Sequence, residues 1–239
     1  MGMDTSSPPA GDAVPRTSLP AGGLAVMLEG LAAAHSCFAK WNWQGDTLEE
    51  AQTPFCTMPP QADELTELLA GQEDGGEMIS AWNGIDGPQG GSFRLMSGMV
   101  GLSHPLPNVA EVQMEPSCLE NADVQNAPVL KAMLGTVVAA WKADWGIVEP
   151  YRLPEVLGHH YRRFRGGWIT FLAAPFLPLI VPPRSAILER GPDDGLLLIA
   201  TEERFCVDNP SHVAVARDIC AALAPLNALS ALPGNTPPH

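Results

Sequence analysis

The chain has 239 residues, of which 46% are hydrophobic and 17% are charged, and its formal net charge is −14. This composition allows a substantial core and excludes a disordered or coiled-coil protein. The negative charge argues against direct binding to nucleic acid or to an anionic membrane surface, since both attract clustered Lys and Arg. It permits a basic protein partner.

Redox and targeting features indicate a cytoplasmic protein. The five cysteines are widely spaced and form no CxxC motif, which fits a reducing cytosol better than a disulfide framework or a zinc site. The N-terminus lacks the basic start and apolar core of a signal peptide. The longest apolar run, residues 167–181, is interrupted by Pro175 and Pro178 and is too short to span a bilayer. We expect neither a membrane segment nor a bound cofactor or metal.

Hydrophobic periodicity predicts a helix followed by strands in the N-terminal half. Apolar residues on one helical face indicate a helix that extends to about Ala39. These residues are Leu24, Met27, Leu28, Leu31 and Phe38. Asp63 is expected to cap a short acidic helix. Residues 77–85, 92–101 and 110–115 are expected to form an antiparallel meander.

Helices and strands alternate in the C-terminal half. Asn126 and Pro128 are typical of a helix start, and an apolar stripe follows them. The apolar run 196–200 predicts a strand buried on both faces, and Asn209 with Pro210 predicts the start of a final helix. Further strands are expected at residues 145–148, 168–172 and 186–189.

These elements predict one α+β domain at residues 21–228, with a largely antiparallel twisted sheet and helices packed on it. Residues 1–20 are expected to be a flexible leader, and residues 229–239 a flexible Pro-rich tail. No internal repeat or linker divides the chain further.

Charge is distributed unevenly along the chain. Between Asp46 and Glu77 there are nine acids and no Lys or Arg. This acidic block is either a solvated surface or a docking face that attracts a basic partner. As part of a docking face, Trp41 or Trp43 supplies a desolvated anchor, with core packing as the alternative for each. The candidate partner-binding residues are Trp43, Asp46, Glu49, Glu50, Asp63, Glu64, Glu67, Glu73 and Asp74.

No common catalytic or phosphate-binding motif is present. Cys206, Asp208 and His212 are the residue types of a thiol nucleophile with its base and orienter, but their position after a strand and at a helix start favours a local structural role. The adjacent His159 and His160 have no further ligand at metal-binding spacing. The neighbouring arginines are expected to balance the acidic block or to stay in solvent, and binding of phosphate or a carboxylate-rich surface is the alternative. They are Arg162, Arg163 and Arg165.

Four segments together resemble the immunity protein 52 family of bacterial polymorphic toxin systems, and the resemblance covers most of residues 20–225. The segments are MISAWNG at Met78–Gly84, WKADWGIVEP at Trp141–Pro150, GGWITFLAAP at Gly166–Pro175 and DGLLLIATEERFCVDNPSH at Asp194–His212.

The resemblance implies a non-enzymatic α+β protein that neutralises a toxin encoded alongside it. The toxins associated with the family are similar to restriction-endonuclease-fold nucleases and are commonly delivered by type VI secretion. The resemblance carries over no catalytic residue, and the motif residues it matches are expected to be structural. These are Trp145, Gly146, Trp168 and Thr170.

The leading hypothesis is therefore an immunity protein that binds a cognate nuclease toxin, by covering its active cleft or by preventing its active assembly. A non-inhibitory adaptor or chaperone for a secreted effector is the alternative. A third hypothesis is a small hydrolase that uses Cys206 or His212, and it requires a concave pocket around those residues.

Overall fold

The predicted amphipathic helix near the N-terminus is α1, Ala21–Ala34. Four of its apolar residues recur at three- and four-residue intervals and are fully buried. They are Leu24, Met27, Leu28 and Leu31. The helix ends before the expected Ala39, because His35 is extended and its Nδ1 accepts a hydrogen bond from the Cys37 N–H at 3.2 Å. Phe38 belongs to a separate 3-10 turn, Ser36–Phe38, and is also buried.

The structure is a computed structural model. It describes residues 20–70, 78–86, 89–96, 109–114, 124–158 and 164–229.

The first sheet contains four antiparallel strands in the order β1-β2-β3-β4. They are β1, Asn42–Trp43, β2, Met78–Trp82, β3, Gly91–Met96, and β4, Val109–Met114. The predicted three-stranded meander is confirmed as β2, β3 and β4. Strand β1 adds a fourth member, with Trp43 opposite Ala81. Ala81, Phe93 and Leu95 are buried, so one face of the sheet packs on the core.

Two short helices carry most of the described acidic residues between β1 and β2. They are α2, Leu48–Ala51, and α3, Ala62–Ala70. Leu65 of α3 is fully buried. Asp63 lies in the first turn of α3 instead of at its cap, where its carboxylate still faces the positive end of the helix dipole.

The long middle helix, α4, spans Ala127–Trp141 and begins as predicted. The Asn126 Oδ1 accepts a hydrogen bond from the Val129 N–H at 2.9 Å, and Pro128 lies in the first turn. The helix buries an apolar stripe that includes Leu130, Met133 and Leu134.

The second sheet is also four-stranded and antiparallel, in the order β5-β6-β8-β7. Its strands are β5, Trp145–Val148, β6, Ile169–Leu172, β7, Ile187–Arg190, and β8, Leu196–Ile199. The predicted buried strand is confirmed as β8, which lies between β6 and β7.

A short helix α5, Leu153–Leu157, follows β5, and α6, Pro210–Leu229, follows β8. Helix α6 begins at the predicted proline, and the Asn209 Oδ1 accepts a hydrogen bond from the Ser211 N–H at 3.0 Å.

The predicted α+β class with antiparallel strands is confirmed, and the described strands divide into two sheets with α4 between them in the chain. The proposed leader and tail, residues 1–20 and 229–239, fall almost entirely outside the described residues. Their boundaries remain a prediction. Among the described helices, none combines the length and apolar character needed to cross a membrane.

The family-motif residues have structural contacts in the second sheet. The Trp168 Nε1 donates to the Thr201 carbonyl at 2.8 Å, and the buried Thr170 Oγ1 accepts from the Gly167 N–H at 3.0 Å. A Cβ added at Gly146 would lie 2.9 Å from Leu134 Cδ1, so this glycine allows close packing of β5 on α4.

Helices α1 and α4 approach closely at Gly30. An added Cβ there would lie 2.3 Å from Thr136 Cγ2 and 3.0 Å from Thr136 Cβ. Because the Thr136 Cβ is attached to the backbone, the side chain cannot remove the conflict by rotating. The close approach therefore requires glycine.

Gly30→Ala is expected to lower the free energy of unfolding by about 1–2 kcal/mol, because the cost of overpacking exceeds the gain in helix propensity. Gly22→Ala in the same helix is the matched control, since an added Cβ at Gly22 meets nothing within 4 Å. Urea denaturation of both variants measures the difference. Equal stabilities would contradict the close contact between α1 and α4.

Candidate functional site

The predicted acidic docking residues within the described chain lie on α2, on α3 and just before α2, whereas the predicted docking residue Trp43 lies on β1. We call this region the acidic segment and define it by Asp46, Glu49, Glu50, Asp63, Glu64 and Glu67. All are exposed except Glu64, which is partly buried. Within the described residues, no Lys or Arg forms an ion pair with any of these carboxylates. The remaining two acidic candidates, Glu73 and Asp74, lie outside the described residues.

Glu50 stabilises the start of α2. Its Oε2 accepts hydrogen bonds from the backbone N–H groups of Asp46 at 2.9 Å and Thr47 at 3.1 Å. The Thr47 Oγ1 in turn accepts from the Glu50 N–H at 3.3 Å, which completes a capping box. Glu50 therefore has a structural role in addition to its charge.

Glu64 holds the loop before α3. Its carboxylate accepts from the Thr57 N–H at 3.0 Å and also from the Thr57 hydroxyl. Four carboxylates of the acidic segment remain without a hydrogen-bond or ion-pair partner among the described residues, and they are free to meet another molecule. They are Asp46, Glu49, Asp63 and Glu67.

Backbone and side-chain hydrogen bonds fix the acidic segment to the first sheet. The Trp43 N–H donates to the Thr53 carbonyl at 3.0 Å, and the Phe55 N–H donates to the Trp41 carbonyl at 2.8 Å. The Trp82 Nε1 donates to the Ala51 carbonyl at the end of α2, at 2.8 Å. The free carboxylates near α2 are therefore presented from a backbone that is anchored at several points.

The two tryptophans have different surroundings. Trp41 is only 1% exposed and stacks on Phe38 with ring centroids 5.7 Å apart, so core packing accounts for it. Trp43 is partly buried, and its ring packs edge-on against Phe55 at 4.8 Å. Of the two, Trp43 alone retains accessible surface for a partner.

Leu48, the first residue of α2, is 74% exposed. It lies between Thr47 and Glu49, directly within the acidic segment. Its exposure could not be predicted from the sequence, because a leucine is normally assigned to the core. Its isolation within a short capped helix is the only signal that points to exposure.

Of the neighbouring arginines Arg162, Arg163 and Arg165, the structure describes Arg165, which does not pair with the acidic segment. The guanidinium of Arg165 pairs with the Glu149 carboxylate, through Nε at 3.0 Å, and lies 5.4 Å from the ring centroid of Trp145. Both charged side chains are largely buried. The expectation that Arg165 balances the acidic block or stays in solvent is therefore wrong. Arg162 and Arg163, like the two adjacent histidines, lie outside the described residues.

Cys206, Asp208 and His212 do not form a nucleophile–base–orienter chain. The His212 Nδ1 accepts a hydrogen bond from the Cys206 backbone N–H at 3.1 Å, so this nitrogen stabilises the turn before α6. The carboxylate of Asp208 lies 3.8 Å from the Arg152 guanidinium instead of beside His212. This geometry agrees with the predicted local structural role.

The buried thiols are poor nucleophiles. Burial raises the pKa of the Cys37 thiol to about 11. The pKa of Cys56 is also raised to about 11, first by burial and then by the nearby Glu64 carboxylate. Burial raises the pKa of Cys220 as well. Because the thiolate is the nucleophilic form, the raised pKa values disfavour these three thiols as nucleophiles. Among the described residues, no cluster of His, Cys, Asp or Glu is arranged to hold a metal ion.

A large groove opens between β4 of the first sheet and β5 of the second, with α4 also contributing to its lining. We call it the inter-sheet groove. Its volume is about 2370 Å³, which exceeds the roughly 300–1,000 Å³ of a typical small-molecule pocket. Gln44 and Gly45, immediately before the acidic segment, line the groove, as do Cys206 and Asp208. His212 is not among the lining residues, so the groove does not unite the three residues that a hydrolase would need.

Comparisons with known proteins agree with this architecture. In a search of solved structures, the Pseudomonas aeruginosa T6SS protein PA0821 matches with a TM-score of 0.53 and 15% sequence identity, covering 89% of this chain and 70% of that chain. At this identity the match shows similarity of fold. A search of curated proteins found no significant match. A family model described as immunity protein 52 matches residues 18–232, which is most of the sequence. The chain belongs to the immunity protein 52 family.

Proposed function

We propose that this protein neutralises a cognate nuclease toxin of the restriction-endonuclease fold by binding it tightly in the cytoplasm. Membership of the immunity protein 52 family assigns an immunity role and implies a toxin protein as the partner. The observation that carries the finer proposal is the exposure of the acidic segment, whose carboxylates form no ion pair with a Lys or Arg among the described residues.

A nuclease attracts this surface because its own substrate face must be basic. Enzymes that bind DNA place Lys and Arg against the phosphates, and these side chains present a positive patch to any acidic competitor. Asp46 and Glu49, just before and on α2, and Asp63 and Glu67, on α3, provide the negative counterpart. Opposite charges accelerate encounter and orient the two proteins before contact.

Apolar contact near the charges supplies the remaining affinity. Leu48 and the accessible part of Trp43 lie close in the chain to the free carboxylates of Asp46 and Glu49, and burial of such groups at the centre of an interface excludes water. Charge then determines the rate and orientation of binding, whereas apolar burial slows dissociation.

Binding without turnover fits the chemistry of the described residues. The Nδ1 of His212 is committed to a backbone hydrogen bond, and the thiols of Cys37 and Cys56 are protonated at neutral pH. We therefore expect one molecule of this protein to inactivate one molecule of toxin. An enzyme that modified the toxin would act at much lower ratios.

Titration of the purified protein against the toxin encoded beside it tests the proposal. DNA cleavage by the toxin is expected to fall linearly and to reach zero at a 1:1 ratio, and co-expression is expected to rescue cells from the toxin. A stable complex with undiminished nuclease activity would indicate an adaptor instead. Failure to form a complex or to rescue would refute the proposed function.

Charge reversal in the acidic segment is expected to slow association. The double variant Glu49→Lys/Glu67→Lys is predicted to bind toxin about tenfold more slowly at low salt, with a flatter dependence of the rate on ionic strength. Both carboxylates lack partners among the described residues, so folding is unaffected. The control Glu155→Lys/Asp193→Lys changes net charge equally at exposed sites elsewhere. Stopped-flow association rates that are equal for the two variants would place the docking face outside the acidic segment.

Truncation of Leu48 is expected to act on dissociation instead. Leu48→Ala is predicted to dissociate about tenfold faster, which corresponds to about 1.4 kcal/mol, with little change in association rate or thermal stability. Val181→Ala is the matched control, because Val181 is a similarly exposed apolar residue far along the chain, at 83% exposure. Surface plasmon resonance separates the two rates. If Leu48→Ala dissociates no faster than Val181→Ala, Leu48 lies outside the interface.

A further inference from the structure

Two sheet edges line the inter-sheet groove. Strand β4 is the last strand of the first sheet and β5 is the first strand of the second. Within the described part of the chain, no strand pairs with the outer edge of either. An uncovered strand edge presents unpaired N–H and C=O groups that can bind a further strand.

The hydrogen bonds of β3 identify which groups of β4 point outward. The Gly91 carbonyl accepts from the Asn83 N–H at 2.9 Å, so Gly91 points away from β4. Because direction alternates along an antiparallel strand, Ser92 and Arg94 point toward β4, where they lie opposite Gln113 and Glu111. It follows that the backbone groups of Ala110 and Val112 point away from β3, toward the uncovered edge.

The same alternation applies to β5. The Val148 carbonyl accepts from the Trp168 N–H at 2.9 Å, and the Asp144 carbonyl accepts from the Ala173 N–H at 3.0 Å. These residues point toward β6, so the backbone groups of Trp145 and Ile147 point outward. Each side of the groove therefore offers main-chain donors and acceptors.

Charge distinguishes the two edges. Glu111 of β4 and Asp86, which follows β2, line the first-sheet side of the groove. Near β5 the lining cations Lys142, Arg152 and Arg165 are balanced by Asp144, Glu149 and Asp208, which also line the groove. A basic peptide segment is therefore attracted to β4 more strongly than to β5.

We propose that an extended basic segment of the toxin enters the inter-sheet groove and pairs as an added strand with the outer edge of β4. This inference rests on the proposed function. Gln44 and Gly45 line the groove and lead directly into Asp46, so a toxin held on the acidic segment lies at the groove. The volume suits a polypeptide segment instead of a small molecule. Main-chain pairing then supplies affinity, and Glu111 selects basic side chains.

Amide hydrogen exchange of the full chain, measured by NMR without toxin and with the full-length cognate toxin, tests this pairing. In the complex, the exchange rates of the Ala110 and Val112 N–H groups are expected to fall by about tenfold. Those of Trp145 and Ile147 are expected to change little. Protection confined to the acidic segment, or protection of Trp145 and Ile147 in place of β4, would overturn the inference and leave the proposed function intact. Absence of any complex would overturn both.

A backbone variant provides the second arm. Ala110→Pro removes the outward N–H without breaking a bond to β3, and proline is tolerated at such edge positions. Its complex with the toxin is expected to dissociate about tenfold faster at unchanged thermal stability, whereas Ala110→Val, which keeps the N–H, is expected to behave as the native chain. Equal dissociation of the two variants would contradict strand pairing. If the amide groups of β4 become protected from exchange in the free protein as its concentration rises, a second copy of the chain binds this edge. That result would refute pairing with a toxin segment.

Discussion

A chain of aromatic contacts positions the surface on which the proposed function depends. Trp41 packs edge-on against Phe93 of β3 at 4.9 Å, and Phe93 contacts Phe55 at 5.4 Å. Phe55 in turn supports Trp43. Because these rings flank the turn that contains α2, burial of the aromatic groups holds an exposed, highly charged loop against the first sheet. Without this packing, the mutual repulsion of its carboxylates would favour an extended loop.

Much of the secondary structure was predictable from local rules. The start of α4 at Asn126 and the start of α6 at Pro210 each follow from a side-chain cap and a proline at the first turn. The continuous apolar run at β8 indicated an inner strand, and β8 lies between two neighbours. These signals involve residues close in sequence, so one sequence suffices to read them. The α+β class follows from the order of the elements.

Features that depend on distant contacts were not predictable. The division of the strands into two sheets depends on which edges meet, and sequence periodicity contains no information about it. Arg165 was expected to balance the acidic block, but Glu149 and Trp145 surround it in the fold. Glu50 and Glu64 were grouped with the other acids, although each accepts backbone hydrogen bonds. Within the acidic segment, charge alone did not distinguish structural carboxylates from free ones.

We propose one mode of neutralisation, in which a toxin is captured by charge and retained by apolar contact at Leu48 and by main-chain contact at a sheet edge that no described strand covers. A crystal structure of this protein bound to its cognate toxin tests that claim most directly. We expect the carboxylates of Asp46 and Glu49 and the side chain of Leu48 to be buried against a basic surface of the toxin. An interface that leaves all three in solvent would contradict it.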